Sequence, residues 1–321
     1  MIKETYLKQA KTVCWKNEFS ESFKVDRGVR QGSPLSPFLF ALVMDEVIEV
    51  INSLHEGCEI KGTKINIIVY ADDIVVLGPT KRAIENLLKV LVQELRTRGL
   101  EVNKNKTVAI CFSRCKKRVE NSAIIVEGRE IKWVSQVKYL GVTLQFDFKW
   151  ETQLKENVNK MNRMGNMILH QVGGFVNEQD KVYLLQCCAF DLSGFEFCKN
   201  IAKKNWEAAA KMYHWLIKRS IGKSKYHGNH EACVESGLLT WDLMHAWKQI
   251  ILWENICKNE NSLLKLFFGD SKWDSDLGKS AFKTLMDFGR ETRGVKEIKV
   301  NMLMHIEAMA VLKDMERGDC L

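Results

Sequence analysis

The sequence predicts an α+β domain followed by a helical domain, and three observations support this prediction. Short β-branched runs separated by turn residues dominate the first half of the 321 residues, whereas apolar residues recur at helical spacing from residue 150 onward. Only three prolines occur, and none follows Pro79, so proline interrupts no helix in the second half. With 46% apolar and 27% charged residues, the chain has the composition of a folded protein. We place the boundary near residue 148, which gives domains of residues 1–148 and 149–321.

The first domain is predicted to alternate strands, turns and helices. A β-hairpin is expected in residues 11–25 around Lys16, and the apolar stretch that follows Pro34 and Pro37 is expected to be a helix with proline in its first turn. The later elements are a strand–turn–strand over 64–78, a helix over 80–98 ended by Gly99, and β runs at 107–112, 123–133 and 137–145. A basic turn is expected at residues 114–118.

The second domain is predicted to be helical throughout. A basic amphipathic helix begins near Trp150, because apolar residues such as Leu154 and Met161 recur at helical spacing between lysines and arginines. Further helices are expected at 178–190, 200–220, 240–258 and 296–316. The tryptophans of this part are expected to be core anchors between helices more often than stacking platforms.

The net charge of +8 is distributed unevenly along the chain. Residues 80–230 carry 27 Lys and Arg against 14 Asp and Glu, whereas the flanking segments are mildly acidic. A basic block of this kind favours a surface that binds a polyanion, with ordinary solubility charge as the alternative.

No feature of the sequence indicates a membrane or a secreted protein. No uncharged apolar run approaches the ~18–20 residues that span a bilayer, and residues 1–11 are polar. The ten cysteines form no ladder of spacings, which favours reduced thiols. We therefore expect an intracellular protein, nuclear or cytoplasmic.

Two adjacent carboxylates, Asp72 and Asp73, lie between apolar β runs. In such a hairpin the two charges would repel each other and lose hydration, unless a cation or a hydrogen-bond network lies against them. Carboxylate oxygens completed by water and phosphate are how proteins hold Mg²⁺. The alternative is an Asx-type turn in which both aspartates face solvent.

A glycine-flanked polar turn precedes the helix that begins near Pro34. Gly28 and Gly32 would let a nucleotide approach the backbone closely, and Arg30 and Gln31 offer donors for phosphate, base or sugar. Alone, the same residues could simply form the entry to a helix.

Together these two features resemble a known family. RQGSPLSPFLFAL and YADDIVVLG are similar to motifs B and C of reverse transcriptases from non-LTR (LINE-like) retrotransposons, GLEVNKNKT to their motif D, and VKYLGV to the primer-grip hairpin. The resemblance covers residues 23–145, and a looser one to the thumb and post-thumb region covers 150–255. It implies a partial right-hand polymerase palm, an antiparallel sheet with helices, followed by a helical thumb and connector.

The resemblance implies an RNA-directed DNA polymerase that transfers nucleotides with two Mg²⁺ or Mn²⁺ ions. Asp72 would be the main metal ligand and Asp73 an auxiliary one. Gln31 and Gly32 would line the incoming deoxynucleoside triphosphate, with Arg30 beside them. Lys106 would act on the pyrophosphate leaving group, with an ordinary surface lysine as the alternative.

The basic block then has a specific interpretation. Lys155, Lys160 and Arg163 on the first thumb helix would contact phosphates of an RNA template paired with a DNA primer, with little base specificity. Affinity for nucleic acid should therefore fall steeply with salt.

One part of the family pattern has no counterpart in this sequence. The metal site of the family also uses a motif A aspartate upstream of motif B, and residues 1–22 contain no aspartate. Asp26 leads directly into motif B and is expected to be a turn or strand-edge residue. We therefore expect a truncated chain that is inactive alone. The alternative is a non-enzymatic nucleic-acid-binding or interaction protein derived from a retroelement remnant.

Overall fold

The computed structural model of the protein describes residues 10–25, 28–60, 62–103, 105–113, 123–172 and 174–258. Asp26, the basic turn predicted at 114–118 and the helix predicted at 296–316 lie outside these residues. The described part is a mixed α/β structure with seven α-helices and several small, mainly antiparallel sheets. The α+β class predicted from the sequence is therefore confirmed.

The chain divides into two compact units. The first holds the described residues up to Ala109 together with 123–133, and the second, the helical unit, holds 110–113 and the residues from Val134 onward. This division reflects which residues pack together. It does not test the domain boundary predicted near residue 148, which stays a prediction.

The first unit begins with two nested strand pairs. β1 (Ala10–Lys11) pairs with β4 (Phe23–Lys24), and β2 (Cys14–Trp15) pairs with β3 (Glu18–Phe19). Lys16 and Asn17, at the tip, have φ values of 48° and 69°, the conformation of the tight turns that join twisted antiparallel strands. The predicted hairpin is thus confirmed.

Two helices form one side of the core of the first unit. α1 (Ser36–Asn52) has Pro37 in its first turn, as predicted. α2 (Lys81–Thr97) starts where the Thr80 hydroxyl accepts a hydrogen bond from the Ala83 N–H, and Gly99 with φ 74° follows its end. The buried side chains of this core include Val47, Ile51, Leu87, Leu91, Ile124 and Ile131.

The remaining strands of the first unit form three small sheets. They are β5 (Cys58–Ile60) with β6 (Thr63–Ile65), β7 (Ile67–Tyr70) with β8 (Asp73–Val76), and β10 (Ile124–Val126) with β11 (Arg129–Trp133) and β9 (Val108–Ala109). The β9–β11 pair is parallel and the others are antiparallel.

The helical unit begins with the hairpin β12 (Gln136–Tyr139) and β13 (Val142–Gln145), followed by five helices. These are α3 (Glu151–Gln171), α4 (Glu178–Leu184), α5 (Lys203–Ser220), α6 (Asn229–Ser236) and α7 (Trp241–Lys258). The helix predicted over 178–190 is α4 continued by a π-helical turn, Leu185–Ala189. The short helix α6 was not predicted, because eight residues show little apolar periodicity.

Aromatic side chains form much of the core of the helical unit. Phe195, Tyr213 and Trp241 are almost completely buried, and the ring centroids of Phe195 and Trp241 lie 4.4 Å apart. Trp206 and Trp215 are half-buried and pack against this core. The tryptophans therefore act mainly as core anchors, as predicted.

Candidate functional site

The Asp72–Asp73 pair lies at the tip of the β7–β8 hairpin. Tyr70 pairs with Asp73 across the hairpin, which leaves Ala71 and Asp72 as a two-residue loop. Ala71 has a φ of 51°, a conformation that favours glycine and that the tight turn imposes here. The strand–turn–strand prediction is thus confirmed, with Asp72 in the turn and Asp73 on the strand.

The hairpin has one face in the core and one face outside it. Because side chains alternate along a strand, the core face carries Ile67, Val69, Ile74 and Val76. Asp73 shares the opposite face with Ile68, Tyr70 and Val75. Both aspartates are exposed to solvent. Water can therefore screen the repulsion between them, and the desolvation expected from the apolar sequence around them does not occur at the tip.

A buried asparagine anchors the base of this hairpin. Asn66 is fully buried directly before β7, and its amide donates a hydrogen bond of 2.5 Å to the Ile51 carbonyl at the end of α1. Its side-chain oxygen accepts a hydrogen bond of 2.8 Å from the Gly57 N–H, and its carbonyl accepts one of 2.8 Å from the Leu77 N–H. Asn66 thus ties the helix that follows motif B to the hairpin that carries motif C.

Asn66 was not among the site residues predicted from the sequence. Its one signal was a polar residue within an otherwise apolar β run, which often marks a buried hydrogen-bonded side chain. Gly57, whose N–H bonds to Asn66, has no room for a side chain. A Cβ at Gly57 would lie 2.2 Å from the Ile65 carbonyl oxygen, so the backbone approach requires glycine.

The motif B turn leads directly into α1. The Ser33 N–H bonds to the Arg30 carbonyl at 3.3 Å, and the buried Ser36 hydroxyl donates to the same carbonyl at 2.5 Å. Gly32 has a φ of 80°, and nothing lies within 4 Å of the position of a Cβ there. Arg30, Gln31 and Gly32 are all exposed. The turn therefore presents an open backbone edge that a ligand can approach.

Lys106 lies in a turn organised by Asn103. The Asn103 side chain accepts hydrogen bonds from the backbone N–H groups of Asn105 and Lys106 at 3.2 and 3.3 Å, and its carbonyl accepts from Thr107 at 3.0 Å. The Lys106 side chain is exposed, and within the described part of the chain it forms no ion pair with Asp72 or Asp73. The amine is thus accessible on a turn with a defined backbone.

The three predicted phosphate contacts on α3 differ in their surroundings. Lys155 and Arg163 are exposed. Lys160 is half-buried and donates a hydrogen bond of 2.5 Å to the Asp191 carbonyl, with the Asp191 carboxylate 3.8 Å away. Lys155 and Arg163 are therefore available to a ligand, whereas Lys160 already has an internal partner.

Comparisons with known proteins agree with these motifs. The sequence profile of the reverse transcriptase (RNA-dependent DNA polymerase) family matches residues 1–144. Residues 1–144 belong to the reverse transcriptase family. The match ends at the β12–β13 hairpin, so it covers every sequence motif that suggested the family.

Relatives of this reverse transcriptase segment include proteins of retrotransposable elements. A Pol polyprotein from the type-1 retrotransposable element R2 of Popillia japonica is 32% identical over 126 residues, which are 37% of this chain and 21% of the relative. The corresponding protein of Nasonia vitripennis is 36% identical over 124 residues, 36% of this chain and 12% of the relative. A protein of Drosophila melanogaster with the name "Probable RNA-directed DNA polymerase from transposon BS" is 28% identical over 151 residues, 45% of this chain and 16% of the relative. The matched segment is thus about a fifth or less of each relative.

The candidate site fits a divalent cation in part. Two exposed carboxylates offer hard oxygen donors of the kind that hold Mg²⁺ together with water and substrate phosphates. Nowhere in the residues that the structure describes do three or more His, Cys, Asp or Glu side chains come together as a metal-binding group. Asp72 and Asp73 could therefore contribute ligands, and the other ligands would have to come from the substrate, water or another segment.

None of the helices in the described part is long and apolar enough to cross a membrane.

Proposed function

We propose that this chain supplies part of the palm and thumb of an RNA-directed DNA polymerase of a non-LTR retrotransposon. The main support is the hairpin that carries Asp72 and Asp73, because an apolar core holds its base while both carboxylates face solvent. Such an arrangement gives a fixed position to metal ligands without burying them. Its substrates would be deoxynucleoside triphosphates, an RNA template and a DNA primer, inside the cell.

Each site residue would have a defined role in nucleotidyl transfer. Asp72 and Asp73 would hold Mg²⁺ or Mn²⁺ and orient the triphosphate. When bound, two such ions lower the pKa of the primer 3′-hydroxyl and neutralise charge on the triphosphate. The exposed edge at Gln31 and Gly32 would accept the incoming nucleotide, and Arg30 would lie beside its phosphates. The exposed Lys106 amine would offset the charge of the pyrophosphate that leaves.

The helical unit would hold the template–primer duplex. Lys155 and Arg163 are accessible on α3, and contacts between such cations and phosphates give affinity with little sequence preference. If Lys155 and Arg163 contribute to binding, the affinity for an RNA–DNA duplex should fall as the salt concentration rises. Lys160 would contribute less, since it is bonded to Asp191.

Metal binding by the hairpin provides the first test. Titration of the 321-residue chain with Mn²⁺ in the presence of a deoxynucleoside triphosphate, followed by electron paramagnetic resonance, should show binding that Asp72→Asn weakens at least tenfold. Asp45→Asn is a matched control, because Asp45 is an exposed aspartate on α1 in the same unit. Equal Mn²⁺ binding by the wild-type chain and Asp72→Asn would contradict the proposed role.

Polymerisation provides the second test. We propose that these 321 residues, assayed alone, do not extend a primer, because residues 1–25 contain no aspartate to share the metal ions with Asp72. Extension of a DNA primer on an RNA template with Mg²⁺ or Mn²⁺ that Asp72→Asn abolishes would contradict this part of the proposal.

A non-enzymatic role in nucleic-acid binding is the second candidate. It is favoured by the solvent-exposed tip, since a surface turn could carry both aspartates without any metal. Salt-dependent duplex binding without nucleotide-dependent Mn²⁺ binding would support this candidate over the polymerase.

A further inference from the structure

One side of α3 between Lys155 and His170 carries six polar residues, and Glu156, the one acidic residue of this segment, lies at the edge of that side and is paired with Lys138. At 3.6 residues per turn, these six residues fall within an arc of about 100°. They are Lys155, Asn159, Asn162, Arg163, Asn166 and His170, and we call them the α3 strip. All are exposed except Asn166, which is half-buried. The strip therefore presents cations and amides to solvent with no carboxylate among them.

Helix α5 packs closely against α3 beside this strip. A Cβ at Gly165 would lie 2.6 Å from the Leu216 methyl groups, so the glycine lets the two helices approach each other. Three residues after Leu216, Arg219 donates a hydrogen bond of 3.2 Å from Nη1 to the Asn166 side-chain oxygen. The close helix contact thus places an arginine of α5 at the edge of the α3 strip.

Two further contacts fix the Arg219 side chain. Its Cζ lies 4.7 Å from the ring centroid of Trp215, the distance of a cation–π contact. The amide of Asn166 donates to the Asn162 side-chain oxygen at 2.6 Å, which holds Asn166 in the orientation that accepts from Arg219. Because the guanidinium is already ordered, binding of a ligand would cost it little rotamer entropy.

The charge of Arg219 is not neutralised within the described residues, where no carboxylate lies within ion-pair distance of it. By contrast, Lys138 is 3.1 Å from Glu156, and Lys223 is 2.9 Å from Glu235. A guanidinium has five N–H donors, and Asn166 uses one of them. Arg219 therefore retains most of its donors for an anionic ligand.

We infer that Arg219, held by Asn166 and Trp215, is a phosphate-binding residue that extends the α3 strip onto α5, and that its ligand is the phosphodiester backbone of an RNA–DNA duplex. This inference rests on the proposed function. At a rise of 1.5 Å per residue the strip is about 22 Å long, enough to follow several consecutive phosphates. Asparagines between the cations can donate to phosphate and sugar oxygens, which matches a nucleic acid better than an acidic peptide.

Binding of a 20-base-pair RNA–DNA duplex to the 321-residue chain, measured by fluorescence anisotropy at several salt concentrations, tests the inference. Arg219→Gln should weaken binding and reduce the slope of log K against log salt by about one, since one phosphate contact is lost. Its affinity deficit should then shrink about threefold to fourfold between 50 and 200 mM salt. Trp215→Leu should weaken binding and leave the slope unchanged, because the charge remains.

Arg82→Gln is the matched control, since Arg82 is an exposed arginine on α2 without an ion pair among the described residues. It should bind like the wild type. Should Arg219→Gln fold poorly by circular dichroism, Arg219→Lys keeps the charge but lacks the planar fork, and it should lower affinity at an unchanged slope.

The outcomes separate this inference from the proposed function. If the wild type binds the duplex and Arg219→Gln or Arg219→Lys binds as tightly with the same slope, the inference is wrong while duplex binding stands. If the wild type does not bind the duplex at all, both are wrong. If polyglutamate displaces the duplex from the wild type but not from Arg219→Gln, the residue recognises carboxylates and the inference is also wrong.

Discussion

The Asn66 side chain donates a hydrogen bond of 2.5 Å to the Ile51 carbonyl, which joins the end of α1 to the start of the hairpin that carries Asp72 and Asp73. Both residues are completely buried, so water replaces neither this bond nor the one from the Gly57 N–H. The two motifs that define the candidate site are therefore held together by one amide.

Replacing Asn66 by alanine should destabilise the protein. The Gly57 N–H would lose its partner, at about 1–3 kcal/mol for a buried group left unsatisfied. The Ile51 carbonyl would lose its bond to the Asn66 amide and keep the one from the Leu54 N–H at 3.3 Å. We expect a loss of about 2–4 kcal/mol in the free energy of unfolding, measured by urea denaturation. Asn86→Ala removes an exposed amide that bonds Glu56, and it should cost far less. Equal losses for the two variants would contradict the anchoring role of Asn66.

Gly57→Ala should also destabilise the base of the hairpin. The added Cβ would lie 2.2 Å from the Ile65 carbonyl oxygen and 2.3 Å from the Asn66 side-chain oxygen, so the backbone must shift. We expect a loss of about 1–3 kcal/mol, by the same urea measurement. Gly174→Ala is the control, because nothing lies within 4 Å of a Cβ there. A neutral Gly57→Ala would show that the loop adjusts without strain.

Gln153→Ala should destabilise the helical unit through the hairpin that precedes α3. The Gln153 side-chain oxygen accepts a hydrogen bond of 2.6 Å from the buried Thr143 N–H, and its amide donates to the Ser193 carbonyl at 2.6 Å. Asn157 still reaches Ser193 at 3.1 Å, so the orphaned group would be the Thr143 N–H. We expect a loss of about 1–3 kcal/mol, against almost none for the exposed Gln171→Ala. Similar unfolding curves for both variants would argue against this role.

The stability of the helical unit should fall as pH drops below 6.5. Burial lowers the pKa of His214 to about 4, and the nearby Lys218 and His230 act in the same direction, whereas Asp242 opposes them. Between pH 6.5 and 4 the unfolded chain therefore binds a proton at this histidine that the folded chain does not. His214 alone should remove up to about 1.4 kcal/mol of stability per pH unit in this range.

His214→Asn tests this pH dependence, because asparagine does not titrate and its amide can replace the ring N–H that bonds to the Ala210 backbone. Urea denaturation at pH 7, 6 and 5 should show a smaller loss of stability on acidification for the variant than for the wild type. The slope will not vanish, since burial also lowers the pKa of His245. Parallel pH profiles for the two proteins would rule out His214 as a source of the effect.

Local sequence patterns were sufficient to predict most of the elements. Gly99, the prolines at the start of α1 and the tight turn at Lys16–Asn17 act on neighbouring backbone groups, and all appear where they were expected. The order of the motifs along the chain likewise predicted the family, because motif order can be compared between sequences without knowledge of the fold. The π-helical turn after α4 and the short α6 were missed, since packing rather than periodicity forms them.

The sequence by itself determined which residue types stand at the hairpin tip, in the motif B turn and in the basic block. Only the tertiary structure decided that Asp72 and Asp73 face solvent, that Asn66 bonds residues nine and fifteen positions away, and that Arg219 meets Asn166 across 53 positions. Hydrogen bonds and exposure of this kind depend on which surfaces the core brings together, and no local pattern encodes that packing.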